Sequence, residues 1–326
     1  MLVDNHHRIH NYLRISLTDA CNFRCFYCMP NEQVDVTPHS KLMSKDEIIA
    51  LASTFIQLGV NKIRLTGGEP LVRKDVGDIL LALSAFDIKL TMTTNAVLIH
   101  QYISLLKQAG ITSINVSLDT LNPAKFLALT KRDQYQQVKD NIDLLLHNDF
   151  HVKINVVTMR GINDKEINDF VAWTKHTPVH VRFIEFMPFN ENQWNHEKVF
   201  TYQQILQTIE QEFSFIKIKD EINDTTKKYQ CLNHAGTFAI ISTMTHPFCS
   251  TCNRLRLTAD GKMKNCLFSK TETDLLSAYR TGQNIEALIR ENLRMKEASL
   301  GGQLLNDYTL IDSAQLENRR MISIGG

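Results

Sequence analysis

The pattern of apolar and polar positions alternates between two periods as far as about residue 187. Short β-branched runs, read as strands, fall at 12–17, 62–66, 88–93, 113–118, 152–157 and 179–186. Between them, apolar residues recur every three to four positions, which predicts helices over 44–58, 75–83, 98–108, 136–147 and 165–175. In the first helix Ile48, Ile49, Leu51, Ala52, Phe55 and Ile56 supply the apolar face. Ser44 and Glu47 spell a capping box at its start, and Gly59 ends it. Six strand-then-helix units imply parallel strands covered by helices, which suits an open doubly wound sheet or a full or partial barrel.

The strand ends favour a partial (β/α)6 barrel of TIM type. Cys21, Gly67-Gly68-Glu69, Thr93-Thr94-Asn95, Ser117 to Asp119 and Glu185 to Met187 all follow predicted strands. A barrel builds its site from several strand ends at one face, whereas a doubly wound sheet concentrates it at a switch point. After Pro188 the pattern changes. A helix is predicted at 201–213, with Thr201 and Gln204 as a second capping pair, then strands at 215–219, 229–232 and 237–241. A hairpin of 254–257 and 263–267, turned by Ala259-Asp260-Gly261-Lys262, puts Cys266 on its return strand. The chain is then mostly helical to Met295. The reading divides it into a barrel over 1–195 and a smaller α/β region over 196–326.

Composition narrows the class of function. The 326 residues are 43% hydrophobic and 22% charged, with a formal net charge of +1. That balance argues against a nucleic-acid binder, so any anion site must come from locally placed Arg and Lys. No apolar stretch approaches the roughly 18 residues of a membrane span. The first residues show no basic then apolar leader, so a cytoplasmic, reducing setting is expected. There, clustered cysteines are metal or catalytic ligands more often than disulfides.

The seven cysteines form two triads, Cys21/Cys25/Cys28 and Cys249/Cys252/Cys266, with Cys231 as a plain strand residue. Structural zinc takes four ligands, and an ordinary four-iron cluster takes four cysteines. Three thiolates at C-x3-C-x2-C spacing leave one iron open to a reacting molecule. The second triad alone also suits a zinc site with His246 as fourth ligand.

The first triad, followed one unit later by Gly67-Gly68-Glu69-Pro70, resembles the radical S-adenosylmethionine (SAM) family. The resemblance implies a [4Fe–4S] cluster on Cys21, Cys25 and Cys28, with SAM on its open iron. It also implies cofactor contacts from Tyr27, Gly67, Gly68, Glu69, Ser117 and Met187. Residues 248–261, and indeed 13–326 as a whole, are similar to the branch of that family that cyclises GTP in molybdenum cofactor synthesis. From this follow a second [4Fe–4S] cluster on Cys249, Cys252 and Cys266 and a GTP substrate. GTP would meet Arg14, Arg64, Thr93, Lys153, Arg254 and Arg256, and the terminal Gly325 and Gly326 would reach into the site. Cyclic pyranopterin monophosphate synthase as the next enzyme, a flavodoxin-type electron donor and a homodimer are further implications. Ala20 stands where the branch often has Arg, at a position that holds no ligand. A peptide-modifying radical enzyme with an auxiliary cluster and a zinc-stabilised binding module are the rival readings.

Overall fold

The computed structural model describes residues 1–29, 36–304 and 307–325. Six parallel strands form its centre: β1 (Tyr12–Ser16), β2 (Lys62–Thr66), β3 (Lys89–Thr94), β4 (Ser113–Ser117), β5 (His151–Thr158) and β6 (His180–Glu185). The helices between them are α1 (Lys45–Gln57), α2 (Val76–Ser84), α3 (Ile103–Gln108), α4 (Pro123–Thr130), α5 (Tyr135–His147) and α6 (Ile167–Trp173). The capping box of α1 is formed: the Ser44 side chain accepts from Glu47 N, and the Glu47 carboxylate accepts from Ser44 N. Its buried face is Ile48, Leu51, Ala52 and Phe55. A helix that the periodicity missed, α4, starts on an Asn122 cap with Pro123 in its first turn and ends at Lys131 in the left-handed region (φ 58°). The helices expected at 98–108 and 165–175 each begin with a separate 3-10 turn, so their α-helical parts are shorter.

The remainder comprises α7 (Tyr202–Glu210), β7 (Phe215–Lys217), β8 (Lys227–Cys231), β9 (Thr237–Ile241), β10 (Arg254–Leu257), β11 (Lys262–Lys264), β12 (Thr273–Asp274), α8 (Leu275–Arg280), α9 (Ile285–Arg294) and α10 (Met321–Ile324). It does not make a separate sheet. β10 pairs in parallel with β1 and β9 with β6, giving one 12-stranded sheet in the order β12-β11-β10-β1-β2-β3-β4-β5-β6-β9-β8-β7. The later residues thus extend both edges of the six-stranded partial barrel. The expected hairpin is present, with Arg256 opposite Lys264. Its return strand stops before Cys266: Lys264 turns its ammonium to the Ser269 carbonyl, Asn265 turns its amide to the Asn292 carbonyl, and the chain leaves the sheet.

Register and the two-residue strand period together sort the side chains. Leu13 and Ile15, Ile63 and Leu65, Val152 and Ile154, Val181 and Phe183, and Leu255 and Leu257 are fully buried in the main hydrophobic core with the helix faces. The alternate positions carry Tyr12 and Arg14, Lys62 and Arg64, Lys153 and Asn155, His180 and Arg182, and Arg254 and Arg256. Arg14 lies beside Arg64 on one side and Arg256 on the other. The sheet therefore gathers its basic side chains on the face that the helices leave free.

Candidate functional site

The three cysteines of the first triad line a cavity of about 120 Å³, together with Tyr27, Gly67, Gly68, Thr93, Asn95 and Ser117. The loop is held by backbone bonds from Cys28 N and Met29 N to the Cys25 carbonyl, at 2.9 and 2.7 Å. Burial pushes Cys21 up to about 11, Cys28 up to about 12 and Cys25 upward as well, so these thiols give up their protons readily only to a metal. The glycine turn fits closely against the start of the loop. A Cβ on Gly68 would lie 2.4 Å from the Ala20 carbonyl oxygen, and one on Gly67 would lie 2.6 Å from that of Thr18. Gly68 N and Glu69 N donate to those same two segments. A three-thiol donor set beside a side-chain-free backbone suits an iron–sulfur cluster with an open site and a small zwitterionic cofactor. Among the described residues no three His, Cys, Asp or Glu side chains converge as ligands of a single metal ion would.

Other predicted contacts sit differently. Glu69 is 1% exposed and is absent from the cavity wall. Its carboxylate accepts from Leu71 N, Thr94 Oγ1 and Asn95 N at 3.0, 2.8 and 2.7 Å, and burial lifts it to about 7. It secures the turn after β3 beside the cysteine loop, where Asn95 in turn donates to Asn22 at 2.7 Å. Tyr27 donates to Asp119 at 2.5 Å, and the buried Asp119, raised to about 6, also accepts from Val157 N. Met187 lines the second cavity instead of the first, and its carbonyl already accepts from Asn192 at 2.8 Å.

The second cavity, about 570 Å³, has Cys249, Cys252 and Cys266 in its wall. Arg14, Lys62, Arg64, Lys153, Arg182, Lys228, Arg254 and Arg256 line it from six strands, against Glu221 and Asp224 alone among the described residues, and Asp224 is already paired with Lys228. Burial, then neighbouring cations, pushes Arg14 down to about 10, Arg182 to about 9 and Lys153 to about 8; Arg256 falls as well. For the Tyr12 hydroxyl burial acts upward, but Arg64, Arg14 and Lys62 outweigh it and bring it down to about 7. Burial is the larger cause for the arginines and the lysine, and the Tyr12 shift marks the excess of positive charge that adds to it. Arg182 Nε and Asn115 Oδ1 are buried without a hydrogen-bond partner among the described residues.

The two cavities meet. Met321 lines both, and Thr93, in the wall of the first, accepts from Arg64, in the wall of the second, at 3.4 Å. The C-terminal segment reaches this junction because Arg319 is clamped by Asp260 and Glu272. Gly325 (φ 78°) then ends against the first two strands, and Arg256 donates to its carbonyl at 2.9 Å. A Cβ there would lie 2.5 Å from Thr66 Oγ1. Gly326 lies outside the described residues. His246 is exposed and packs on the Tyr202 ring, away from the cavity wall, so it is not a fourth ligand of the second triad. Cys231 is buried in β8 as core.

Two family models match the chain: the Radical SAM superfamily over residues 15–174 and Molybdenum Cofactor Synthesis C over 179–301. "GTP 3',8-cyclase, mitochondrial" of Arabidopsis thaliana is 46% identical over all of this chain and 84% of its own length. The chain belongs to the GTP 3′,8-cyclase family of radical SAM proteins. "GTP 3',8-cyclase" of Desulforamulus reducens is 42% identical over 90% of this chain and 94% of its own. "Molybdenum cofactor biosynthesis protein 1" of Homo sapiens is 41% identical over 99% of this chain, which spans about half (51%) of that protein. Among solved structures, Streptococcus suis SuiB bound to S-adenosylmethionine superposes with a TM-score of 0.57 over 83% of this chain and 65% of its own, at 16% identity, which is a likeness of fold.

Within this radical SAM fold the predicted Arg14, Arg64, Lys153, Arg254 and Arg256 share one cavity. Tyr12, Lys62, Arg182, Asn115 and Lys228 join them there and were missed. The signal for Lys62 and Arg182 was present: each sits two residues along its strand from His180 or Arg64, on the same face as a predicted contact or its register partner. Among the described residues no helix is long and apolar enough to cross a membrane.

Proposed function

We propose that this chain is a GTP 3′,8-cyclase, a lyase that converts GTP into (8S)-3′,8-cyclo-7,8-dihydroguanosine 5′-triphosphate in the first step of molybdenum cofactor synthesis. The observation that carries this reading is the joined pair of cavities, one walled by three cysteines and a glycine turn, the other by three cysteines and eight basic side chains. Cys21, Cys25 and Cys28 would hold one [4Fe–4S] cluster, and Cys249, Cys252 and Cys266 a second. Bound SAM supplies a 5′-deoxyadenosyl radical when it receives one electron.

The chain's own residues bind, aim and enclose. Gly67 and Gly68 admit the cofactor's methionyl end to bare backbone, Tyr27 and Ser117 line its cavity, and Glu69 fixes the loop beneath. Arg14, Arg64, Lys153 and Arg256 meet the triphosphate, and Arg254 holds the purine end near the second triad. Thr93 links Arg64 to the first cavity, so the ribose lies at the junction. Hydrogen is taken from ribose C3′, a C3′–C8 bond forms, and one electron and one proton complete the product. Met321 and Gly325 close the junction, keeping a reactive sugar radical from water.

In the same reading, residues 1–195 carry the first cluster and residues 196–326 the second cluster and the substrate-binding tail, and the enzyme works in the cytoplasm as a homodimer. A flavodoxin-type donor supplies electrons, and cyclic pyranopterin monophosphate synthase takes the product. The test is anaerobic reconstitution with SAM, GTP and dithionite. Formation of 5′-deoxyadenosine together with a cyclised nucleotide supports the reading; 5′-deoxyadenosine with GTP left intact contradicts it.

A further inference from the structure

Lys296 lies behind the second triad, in neither cavity wall. It stands two residues beyond the end of α9, after the Met295 cap, and is only 4% exposed. Its ammonium donates to the carbonyl of Asn265, the residue before Cys266, and to that of Arg254 at 3.4 Å, two residues after Cys252. It stands 4.0 Å from Cys252 Sγ. Among the described residues no carboxylate pairs with it. A buried ammonium met only by carbonyl oxygens is poorly compensated, and the anion nearest to hand is the thiolate side of the second triad.

The surrounding segment is arranged to the same end. Leu300 N donates to Cys249 Sγ at 3.4 Å. Arg8, paired with Asp4 at 2.6 Å, donates to the carbonyls of Cys249, Glu297 and Ala298, each at 2.8 Å, and so binds the segment of Lys296 to the cysteine loop. At Cys252 the Arg254 guanidinium joins Lys296, so two cations act on one sulfur. At the first triad the donors to sulfur are the neutral Phe23 N and Asn95 Nδ2, and the charged groups acting on Cys21 and Cys25 are the buried carboxyls of Glu69 and Asp119 with Arg24 against them.

We propose that Lys296, acting through Cys252, raises the reduction potential of the cluster held by the second triad, so that the two clusters are not equivalent electron acceptors. A positive charge and an N–H donor at a ligating sulfur stabilise the added negative charge of the reduced state. The proposal rests on the reading that Cys249, Cys252 and Cys266 hold an iron–sulfur cluster.

The test is an anaerobic redox titration, followed by electron paramagnetic resonance, of the reconstituted full chain. Replacing Cys21, Cys25 and Cys28 together by Ala isolates the second signal. On that background Lys296→Gln should titrate at lower potential by about 59 mV, a tenfold change in a one-electron equilibrium. Lys296→Arg should stay near the parent. In the chain with both triads intact, the first signal should not move. A second signal at the parent potential in Lys296→Gln overturns the proposal, as does an equal movement of both signals. If Lys296→Gln fails to retain the cluster, the unsubstituted residue is read directly. With 15N-lysine in the parent protein, pulsed resonance of the reduced second cluster should show a weak 15N coupling, and its absence overturns the proposal. A parent protein with no second iron–sulfur signal at all refutes the reading of the second triad itself, a result distinct from an unshifted potential.

Discussion

The two cavities are built on opposite principles. The first is small, and its charged groups are already satisfied: Glu69 accepts three hydrogen bonds and Asp119 is engaged by Tyr27 and Val157. Its shape is set by backbone that tolerates no Cβ. The second is several times larger, and its charges are unbalanced, with eight basic groups against two acids among the described residues. On the proposed reading, a cofactor used in every turnover would be met by fixed geometry, and a polyanionic substrate by electrostatic repulsion that its arrival relieves. The comparison predicts that steric changes should damage the first cavity, and charge changes the second.

The largest expected effect is Cys21→Ala, which should abolish both 5′-deoxyadenosine and cyclised nucleotide; retention of either would separate this loop from radical formation. Gly68→Ala forces a methyl to within 2.4 Å of a carbonyl oxygen. Overpacking of this kind costs about 1–3 kcal/mol, so SAM binding should weaken roughly 5- to 150-fold, as measured by equilibrium dialysis. GTP affinity should change much less. Arg254→Ala should do the reverse, with cyclisation falling by about 2 kcal/mol, roughly 30-fold, while SAM cleavage is largely spared. Equal loss of the two products would remove Arg254 from the substrate side. Gly325→Ala combines a left-handed φ with a clash at Thr66 Oγ1. The strain is of order 1 kcal/mol, which should slow cyclisation severalfold and raise uncoupled SAM cleavage.

The smallest effect is a pH dependence. In the free protein Lys153 is held down to about 8 by burial and nearby cations, so it loses its proton as pH rises through that value. The triphosphate favours the charged form, so GTP affinity should weaken above about pH 8 and binding should take up protons there. Calorimetry in buffers of different ionisation enthalpy measures that uptake. Lys153→Met should diminish it, and an unchanged uptake would point to another group, with Tyr12 the next to examine.

Much of this was legible in the chain because it was local. The capping boxes of α1 and α7, the strand ends, the first cysteine triad and the Cys249/Cys252 pair are set by residues within a few positions of one another. What was not legible depends on long-range pairing. No local pattern reveals that β10 lies beside β1 and β9 beside β6, and this pairing is what places Arg254 and Arg256 next to Arg14. Lys62 and Arg182 were passed over because one cation in a strand carries little meaning until register stacks it with others. The motif places Glu69 at the cofactor, and what it does not reveal is that the same carboxylate also ties down the turn after β3. The short strand β11 ended early because Lys264 and Asn265 found partners off the sheet.

The central claim is that the two cavities hold their ligands so that a radical made in the first reaches the ribose in the second. GTP deuterated at C3′, turned over anaerobically once with SAM, tests this most directly. The account predicts deuterium in the 5′-deoxyadenosine, in step with the cyclised nucleotide. Unlabelled 5′-deoxyadenosine accompanying a cyclised product would contradict it.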